Sequence, residues 1–323
     1  MPSPNFSFKR FQLWALLFVV MSACQIDPKL SHGTLPYEQK DAKVIIIVMD
    51  GVRYSEGWAD TGNNFYYIRN EIAPHAAVFT NFFTETATLT QSGHTAILTG
   101  YNETLENFGN DTPSHPNIFQ LYRKQKFADS TDTWLIASKG KLAALASCED
   151  TAYKGRFLPA TYCGANGSNT AYIDAWDSIT CKKAMQTIQQ YDPHLMLINL
   201  RETDMYGHNA NWPEYNTAIR MQDTLICKLY QFTQSLKEYA GNTYFIITND
   251  HGRHNTGVTN DFAGHGDNCY GCRKIFLLAT GPGIQEGFID DNYHSLDEVY
   301  GLACHTLGIK PQIEKSDFSE IFE

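Results

Sequence analysis

The sequence has few basic residues, and it lacks repeats, heptads, low-complexity tracts and clusters of Lys and Arg. Its 323 residues include 25 Lys and Arg against 35 Asp and Glu, and residues 24–323 carry 23 against 35, a net charge of −12. This acidic balance argues against a nucleic-acid polymer as a partner, although it is compatible with a nucleotide-sized substrate. With 43% hydrophobic residues, the chain is long enough for one large α/β domain or two smaller ones.

The apolar run near the amino terminus, residues 11–20, is too short to span a bilayer. It follows Lys9 and Arg10, an arrangement typical of a secretory signal. The residues before Cys24 resemble a bacterial lipobox, which predicts cleavage before Cys24 and lipid attachment to its thiol. An ordinary secretory signal is the alternative. We therefore expect an exported lipoprotein, periplasmic or at the cell surface and anchored to the membrane through Cys24.

Three segments follow from this interpretation. Residues 1–23 are predicted to be a lipoprotein-type signal peptide, and residues 24–41, which contain Pro28, Gly33 and Pro36, a tether. Residues 42–323 are predicted to form a single folded domain.

A second C-x-x-C motif is absent, which limits the interpretation of Cys269 and Cys272. Cys269 and Cys272 alone supply only half of the ligands of a zinc ribbon. A disulfide between them, or two unpaired thiols, is therefore the favoured interpretation. In an exported chain the seven cysteines after Cys24 are candidates for disulfides, and their odd number leaves one over. Cys148 and Cys163 bracket an irregular stretch and are candidates to pair.

Strand-like and helix-like segments alternate along most of the chain. The run at 44–48 consists of five β-branched residues and predicts a strand buried on both faces, as in a parallel sheet. Together with the alternation, this predicts an α/β fold with a mostly parallel central sheet and helices on both faces. Residues 139–170 are the least regular stretch and are expected to form a small cover over the site. The other predicted strands are 77–83, 134–137, 194–200, 244–248 and 275–279, and the helices are 94–99, 116–125, 171–190 and 214–239.

Polar side chains follow several of these strands. The carboxyl ends of strands in such a sheet form the ligand crevice, so these residues are expected to converge. Mixed carboxylate and imidazole ligands suit zinc or manganese, and two such ions can stabilise both oxygens of an in-line displacement at phosphorus. Helix caps and ordinary loop histidines are the structural alternatives for each residue taken singly. The converging residues are Asp50, Thr90, Asp204, His208, Asp250, His251 and His265.

The order of these motifs resembles the alkaline phosphatase superfamily, and within it the type I phosphodiesterase/nucleotide pyrophosphatase branch. The resemblance runs over residues 43–283. It is carried by Asp50-Gly51, Thr90 with His94 leading into Leu98-Thr99-Gly100, Asp204-x-x-Gly207-His208, Asp250-His251-Gly252 and Gly264-His265-Gly266.

The resemblance implies two divalent metal ions, zinc or alternatively manganese. It implies that Asp50, Thr90, Asp250 and His251 hold one ion, and that the other is held by Asp204, His208 and His265. Thr90 resembles the nucleophile, with a metal lowering the pKa of its hydroxyl, and a phospho-threonine intermediate is implied. Asn110 resembles the family asparagine that steadies a non-bridging oxygen, with Asn102 and Asn107 as competitors. His94 is expected to pack or to orient.

Departures from the family pattern narrow the substrate class. Sulfatases of this superfamily use C/S-x-P-x-R, which residues 88–93 do not match. Gln91 replaces the aromatic residue that follows the nucleophile in many nucleotide pyrophosphatases, so a nucleotide substrate is not implied. Thr88 is a second candidate nucleophile. Arg53, Lys139, Arg201 and Arg253 are candidates either to meet a substrate anion or to be solvated surface charges.

We therefore expect a dinuclear metal-dependent phosphoester hydrolase acting on a small-molecule ester, with phosphodiesters favoured. A phosphomonoesterase, a phosphonate hydrolase or a phosphoryl-group transferase is the alternative within the superfamily. A surface-displayed binding protein without turnover is the alternative from another class.

Overall fold

The strand that occupies the middle of the sheet, β1, spans Lys43–Met49 and is buried along its whole length. The computed structural model describes residues 1–2, 41–316 and 318–323. Within them nine strands form one sheet, in the order β4-β3-β5-β1-β6-β7-β2-β8, with β9 paired to β2. After β1, these strands are β2 Ala77–Phe83, β3 Thr133–Ala137, β4 Ala160–Cys163, β5 Leu195–Leu200, β6 Thr243–Thr248, β7 Lys274–Thr280, β8 Ile289–Asp290 and β9 His294–Ser295.

Helices cover both faces of this sheet, as predicted. They are α1 Thr90–Thr99, α2 Ile118–Lys126, α3 Asp177–Tyr191, α4 Glu202–His208, α5 Trp212–Gln234, α6 Tyr270–Arg273 and α7 Glu298–Thr306. Side chains alternate along β1, so that Val44 and Ile46 pack with α1, α2 and α7 while Ile45 and Ile47 pack with α3 and α5. The two apolar layers explain why the run at 44–48 is β-branched throughout: neither face of the strand meets water.

The sheet is mostly parallel, which confirms the predicted fold class. β1 pairs in parallel with both β5 and β6, and β3 pairs in parallel with β4 and β5. β7 is the exception, because it runs antiparallel to β6 and β2. The chain between β6 and β7 contains only short helical turns, at Asp261–Ala263 and Tyr270–Arg273, and so has no crossover helix that would return it to the starting edge.

The segment 139–170, expected to be an irregular cover, contains regular structure. A 3₁₀ helix spans Gly140–Ala146, and β4 adds an edge strand to the sheet. β4 has only four residues, three of them half-buried, so it lacks the apolar run that marks the central strands. Its carboxyl end carries Cys163, whose thiol is free and buried. The candidate disulfide between Cys148 and Cys163 is absent, since all seven described cysteines are free.

The described part of the chain from residue 41 onward belongs to a compact unit, Glu38–Glu323. Apart from residues 1 and 2, the predicted signal peptide lies outside the described residues, and so do Cys24 and nearly all of the predicted tether. Among the described residues, no helix combines the length and the apolar character that crossing a bilayer requires.

Candidate metal centre

Three neighbouring strands place acidic side chains at one edge of the sheet. Asp50 follows β1, Asp204 lies in α4 just after β5, and Asp250 follows β6. Because β5, β1 and β6 are adjacent and parallel, their carboxyl ends meet there. Thr90 joins them as the first residue of α1. All four residues are buried, so their polar atoms face one another instead of solvent.

The first group of candidate ligands is Asp50, Asp250 and His251. His251 Nε2 lies 3.7 Å from Asp50 Oδ1 and 3.6 Å from Asp250 Oδ2. His251 Nδ1 lies 2.9 Å from the Gly252 carbonyl oxygen, so Nδ1 donates and Nε2 carries a lone pair. Neither His251 Nε2 nor Asp250 Oδ2 has a hydrogen-bond partner among the described residues, although both are buried. Buried, unpartnered acceptors that face each other are what a metal ion would satisfy.

The second group is Asp204, His208 and His265. His265 Nε2 lies 3.0 Å from His208 Nε2, and Asp204 Oδ1 lies within 3.6 Å of both ring nitrogens. His265 Nδ1 lies 2.8 Å from the Thr88 carbonyl oxygen, which leaves a lone pair on His265 Nε2. The two groups are contiguous, because ligand atoms of Asp50, Asp204 and His251 lie within 4.8 Å of one another. The donor set therefore fits two nearby divalent metal ions.

Lys139 brings a positive charge into the middle of this cluster. Its ammonium donates to Asp50 Oδ1 at 2.9 Å, to Asp204 Oδ2 at 2.6 Å and to Thr90 Oγ1 at 2.8 Å. Lys139 follows β3, whose carboxyl end lies at the same edge of the sheet. The lysine is buried, so the interpretation of Lys139 as a solvated surface charge was wrong.

Burial and neighbouring charges shift the pKa values of several side chains in the cluster. Burial, followed by the charge of Asp250, raises the pKa of Asp50. Burial opposes ionisation of Asp204 as well, but Lys139 and Arg253 outweigh it and hold the pKa of Asp204 well below its ordinary value. Burial, followed by His251, lowers the pKa of His265 to about 2, so His265 is neutral at neutral pH. A neutral imidazole is the form that binds metal.

Other buried residues hold the candidate ligands in place. Arg253 is fully buried, forms an ion pair with Asp204 and donates to the carbonyl oxygens of Phe262 and Ala263. Asn199 donates from Nδ2 to Asp50 Oδ2 at 2.9 Å. These contacts give Arg253 a structural role. Sequence analysis offered contact with a substrate anion or a solvated surface charge, and neither describes this residue.

Helix α1 approaches Asp250 so closely that only glycine fits between them. A Cβ atom at Gly93 would lie 2.6 Å from the Asp250 carbonyl oxygen. The next residue, His94, contacts through Nδ1 the carbonyl oxygen of Thr90, one turn earlier in α1, at 2.8 Å. The same nitrogen lies 3.4 Å from Asp250 Oδ2. His94 thus orients the first turn of α1 against the cluster, as expected from its spacing.

A cavity of about 350 Å³ opens beside the cluster, a volume at the lower end for small-molecule sites. Asp204, His208 and Lys139 line it, so it leads directly to the candidate ligands. Lys141 and Arg201 add two further cations to its walls. Burial, followed by Lys139, lowers the pKa of Lys141 to about 8.

The structure brings Asn107, and not Asn110, to this cavity. Asn107 lines it, and its Oδ1 accepts from the Gln91 backbone N–H at 3.1 Å and from Lys141 Nζ at 2.8 Å. Asn110 is exposed and is not a lining residue. Gln91, next to Thr90, accepts from the Gly109 N–H at 2.6 Å and so fixes the loop that carries Asn107. The candidate asparagine is therefore Asn107.

The described residues of the cavity and cluster include two that sequence reasoning did not name, Asn199 and Lys141. They also include Lys139 and Arg253, which it named only as anion contacts or surface charges. Lys139 and Asn199 were recoverable in principle: Lys139 follows a strand of the same parallel set, and Asn199 lies near the carboxyl end of β5. Lys141 and Arg253 had no comparable signal, because their positions depend on loop geometry that side-chain periodicity does not encode.

Comparison with known proteins confirms the predicted resemblance. A family model described as "Metalloenzyme superfamily" matches residues 42–311. The curated GPI ethanolamine phosphate transferase 1 of Schizosaccharomyces pombe is 24% identical over 97% of this chain, which spans only 35% of that protein's length.

Solved structures share the fold. Murine ectonucleotide pyrophosphatase/phosphodiesterase 5, as an inactive T-to-A variant in complex with AMP, matches with a TM-score of 0.62 and 14% identity, over 87% of this chain and 100% of that one. The phosphonate monoester hydrolase of Agrobacterium radiobacter matches with a TM-score of 0.63 and 13% identity, over 87% and 77% of the two chains. An alkaline phosphatase superfamily protein from Vibrio parahaemolyticus matches with a TM-score of 0.59 and 16% identity, over 89% and 72%.

Proposed function

The chain belongs to the metalloenzyme superfamily, and from this premise we propose that it is a dinuclear metal-dependent phosphoester hydrolase that favours diesters. The observation that carries the proposal is the position of Thr90. Its hydroxyl oxygen lies at the amino end of α1, 2.8 Å from the Lys139 ammonium and beside the candidate ligands Asp50 and Asp204. A hydroxyl held against a cation at a helix amino terminus suits nucleophilic attack on an anionic phosphoester.

Two divalent ions, held by Asp50, Asp250, His251 and Thr90 and by Asp204, His208 and His265, would supply Lewis-acid stabilisation of charge on oxygen. We propose that Thr90 Oγ forms a bond to phosphorus while the bond to the ester leaving oxygen breaks. Water then cleaves the phospho-threonine and restores the hydroxyl. The murine phosphodiesterase neighbour is inactive as a T-to-A variant, which supports the role that we propose for Thr90.

Residues of the cavity wall would bind the substrate. Lys141 and Arg201 suit an anionic oxygen, and the Asn107 amide can donate to a non-bridging oxygen. The volume of about 350 Å³ suits a small ester. No sequence-specific contact to a nucleic-acid polymer is implied.

Hydrolysis of bis-p-nitrophenyl phosphate by the zinc- or manganese-loaded protein tests the proposal. We expect Thr90→Ala to abolish turnover and Thr90→Ser to retain part of it, because serine keeps the hydroxyl. Thr217→Ala is the matched control: this exposed threonine lies on α5, where its hydroxyl donates to the Pro213 carbonyl oxygen. Unchanged activity in Thr90→Ala would remove Thr90 from the nucleophile's role.

Transfer of the phosphoryl-linked group to an alcohol is a second candidate, favoured by the match to an ethanolamine phosphate transferase over 97% of this chain. A phospho-threonine that reacts with water can react with an alcohol through the same step. Adding glycerol or ethanolamine and measuring the ratio of phosphorylated alcohol to free phosphate product separates the two. If the ratio of phosphorylated alcohol to free phosphate product equals the ratio of alcohol to water in the solution, the protein does not select the alcohol, and the hydrolase is supported.

We further propose that the chain is exported and carries lipid on Cys24, on the strength of the signal-like segment before it. Incorporation of radiolabelled palmitate in a bacterial host, lost in Cys24→Ser, is the expected result. A secreted product without lipid would support the ordinary signal instead.

A further inference from the structure

Four side chains with metal-binding atoms lie together outside the candidate metal centre. They are His254, Asp267, Cys269 and Cys272, and one ligand atom of each lies within 4.8 Å of the others. Ligand atoms that surround a tetrahedral zinc ion at about 2.0–2.3 Å lie about 3.3–3.8 Å apart, so the cluster is close to the required size. His254 and Cys272 are buried and Cys269 is half-buried, whereas Asp267 is exposed.

The backbone builds this cluster by bringing two segments into contact. Cys269 precedes the single turn α6, and the Cys272 N–H donates back to the Cys269 carbonyl oxygen at 3.2 Å. The Gly252 N–H donates to the Cys272 carbonyl oxygen at 2.7 Å, which holds the segment containing His254 against this turn. A Cβ atom at Gly252 would lie 2.0 Å from the Gly271 carbonyl oxygen. The approach therefore requires glycine at 252.

The imidazole of His254 is oriented as a metal ligand. Its Nδ1 contacts the Thr259 carbonyl oxygen, which can only accept, so Nδ1 carries the proton. In the neutral ring Nε2 then has a lone pair, and it faces Asp267 Oδ2 at 3.2 Å. Two acceptors at this distance need a cation between them or a second proton on the ring. The two cysteine thiols beside them favour the cation, because thiolate, imidazole and carboxylate together are a zinc ligand set.

We propose that His254, Asp267, Cys269 and Cys272 bind a zinc ion that is separate from the dinuclear centre. Four protein ligands close the coordination sphere, so the role is structural and not catalytic. This site explains why a single C-x-x-C motif is sufficient: Cys269 and Cys272 supply two ligands, and the fold brings His254 and Asp267 next to them as the other two. Both free thiols are compatible with it.

The position of the zinc has a consequence for the candidate catalytic centre. His254 lies three residues after His251, and Asp267 lies two residues after His265. An ion bound to both segments would tie the loop between them to the start of β7 and so hold His251 and His265 at a fixed separation. The backbone bond from the His254 N–H to the Gly264 carbonyl oxygen, 2.9 Å, closes the same loop.

Cobalt substitution of the full chain tests this site specifically. Thiolate ligands give bound Co²⁺ an intense charge-transfer absorption in the near ultraviolet, and the dinuclear centre has only nitrogen and oxygen ligands. We expect this absorption in the wild-type protein and its loss in the Cys269→Ser/Cys272→Ser variant. Bound zinc should fall from about three to about two ions per chain. Cys227→Ser, a buried free cysteine on α5, is the matched control and should change neither value.

Asp267→Asn provides a second variant that is not expected to disturb folding, since the side chain is exposed. It should bind Co²⁺ at least about tenfold more weakly while retaining the thiolate absorption. No absorption in the wild-type protein, absorption that persists in the double cysteine variant, or a disulfide between Cys269 and Cys272 would each overturn the proposal. Ester hydrolysis does not enter these readouts, so this site and the proposed activity can fail independently.

Discussion

Lys139 donates a hydrogen bond from its ammonium to the hydroxyl oxygen of Thr90 over 2.8 Å, and the same ammonium joins Asp50 to Asp204. The lysine therefore has two effects of opposite sign on the proposed enzyme. In the proposed mechanism it would stabilise an alkoxide on Thr90, and it would compete with a divalent ion for the two carboxylates.

We expect Lys139→Met to bind divalent metal more tightly and to react more slowly. Removing a buried positive charge beside Asp50 and Asp204 should tighten metal binding by roughly tenfold or more. Losing the donor to Thr90 should lower kcat by about 10²- to 10³-fold. Competition with a chromophoric chelator measures the first effect, and the rate on saturating diester measures the second. If Lys139→Met lowered both the affinity for divalent metal and the rate on saturating diester, Lys139 would favour metal binding and would not compete with it.

The buried ion pair between Arg253 and Asp204 should contribute to the stability of the metal-free protein. Arg253 is fully buried, and replacing it with Met leaves the Asp204 carboxylate with less compensation. Truncating one member of a buried pair costs about 3–5 kcal/mol in the free energy of unfolding. We expect that loss for Arg253→Met in urea titrations with EDTA, and a smaller loss with zinc present, because bound metal also compensates Asp204.

Arg220→Met is the control for this measurement. Arg220 is exposed on α5, where it donates to Asn64 Oδ1 and Thr217 Oγ1, and its replacement should change the unfolding free energy by less than about 0.5 kcal/mol. Equal losses for the two arginines would show that the buried pair contributes no special stability.

Asn107 and Asn110 form a matched pair for testing the substrate-binding asparagine. Asn107 joins the Gln91 N–H to the Lys141 ammonium at the cavity wall, whereas Asn110 is exposed. Asn107→Ala should therefore lower kcat/KM by roughly 10- to 100-fold, the equivalent of one or two charge-assisted hydrogen bonds. Asn110→Ala should stay within about twofold of the wild type. The reverse ranking, measured with the same diester, would restore the assignment made from spacing alone.

The asparagine also shows where sequence reasoning stopped. Asp50 and Asp250 could be placed because each lies within two residues of the end of a strand that its β-branched and apolar residues reveal. Because β1 and β6 pair in parallel, their carboxyl ends lie at the same edge of the sheet, so the convergence of these two acids follows from the predicted sheet alone. Asn107 lies in a loop whose course depends on tertiary contacts such as the one between Gln91 and Gly109, and neighbouring asparagines cannot be distinguished by spacing.

Three strands, β4, β8 and β9, were not predicted because their own residues carry little signal of strand structure. β4 is a four-residue edge strand within a segment rich in small and polar residues, so it carries no apolar run. β8 and β9 have two residues each, and β2 supplies the partners that make them strands. Likewise, Cys269 and Cys272 were visible as a motif, but the nearness of His254 and Asp267 depends on how the loop folds back.

The last prediction concerns pH and rests on Lys141. Burial, followed by the charge of Lys139, lowers the pKa of Lys141 to about 8. A lysine with a lowered pKa is protonated below that pH and neutral above it, so its attraction for a substrate anion is present below about pH 8 and is lost as the pH rises. Because kcat/KM reports ionisations of the free enzyme, it should fall by roughly tenfold through this range, the worth of one charge-assisted hydrogen bond.

Replacing the titrating group isolates this effect from other ionisations. Lys141→Arg keeps a positive charge across the range, so the Lys141-dependent fall in kcat/KM should disappear from its pH profile. Lys141→Met should be about tenfold slower than the wild type at pH 7 and should converge with it above pH 9, where the wild-type lysine is neutral as well. Lys126→Met, an exposed substitution at the end of α2, should reproduce the wild-type profile. A fall of the same size and midpoint in wild type, Lys141→Arg and Lys141→Met would assign the ionisation to another group, because only a group common to all three proteins could then carry it.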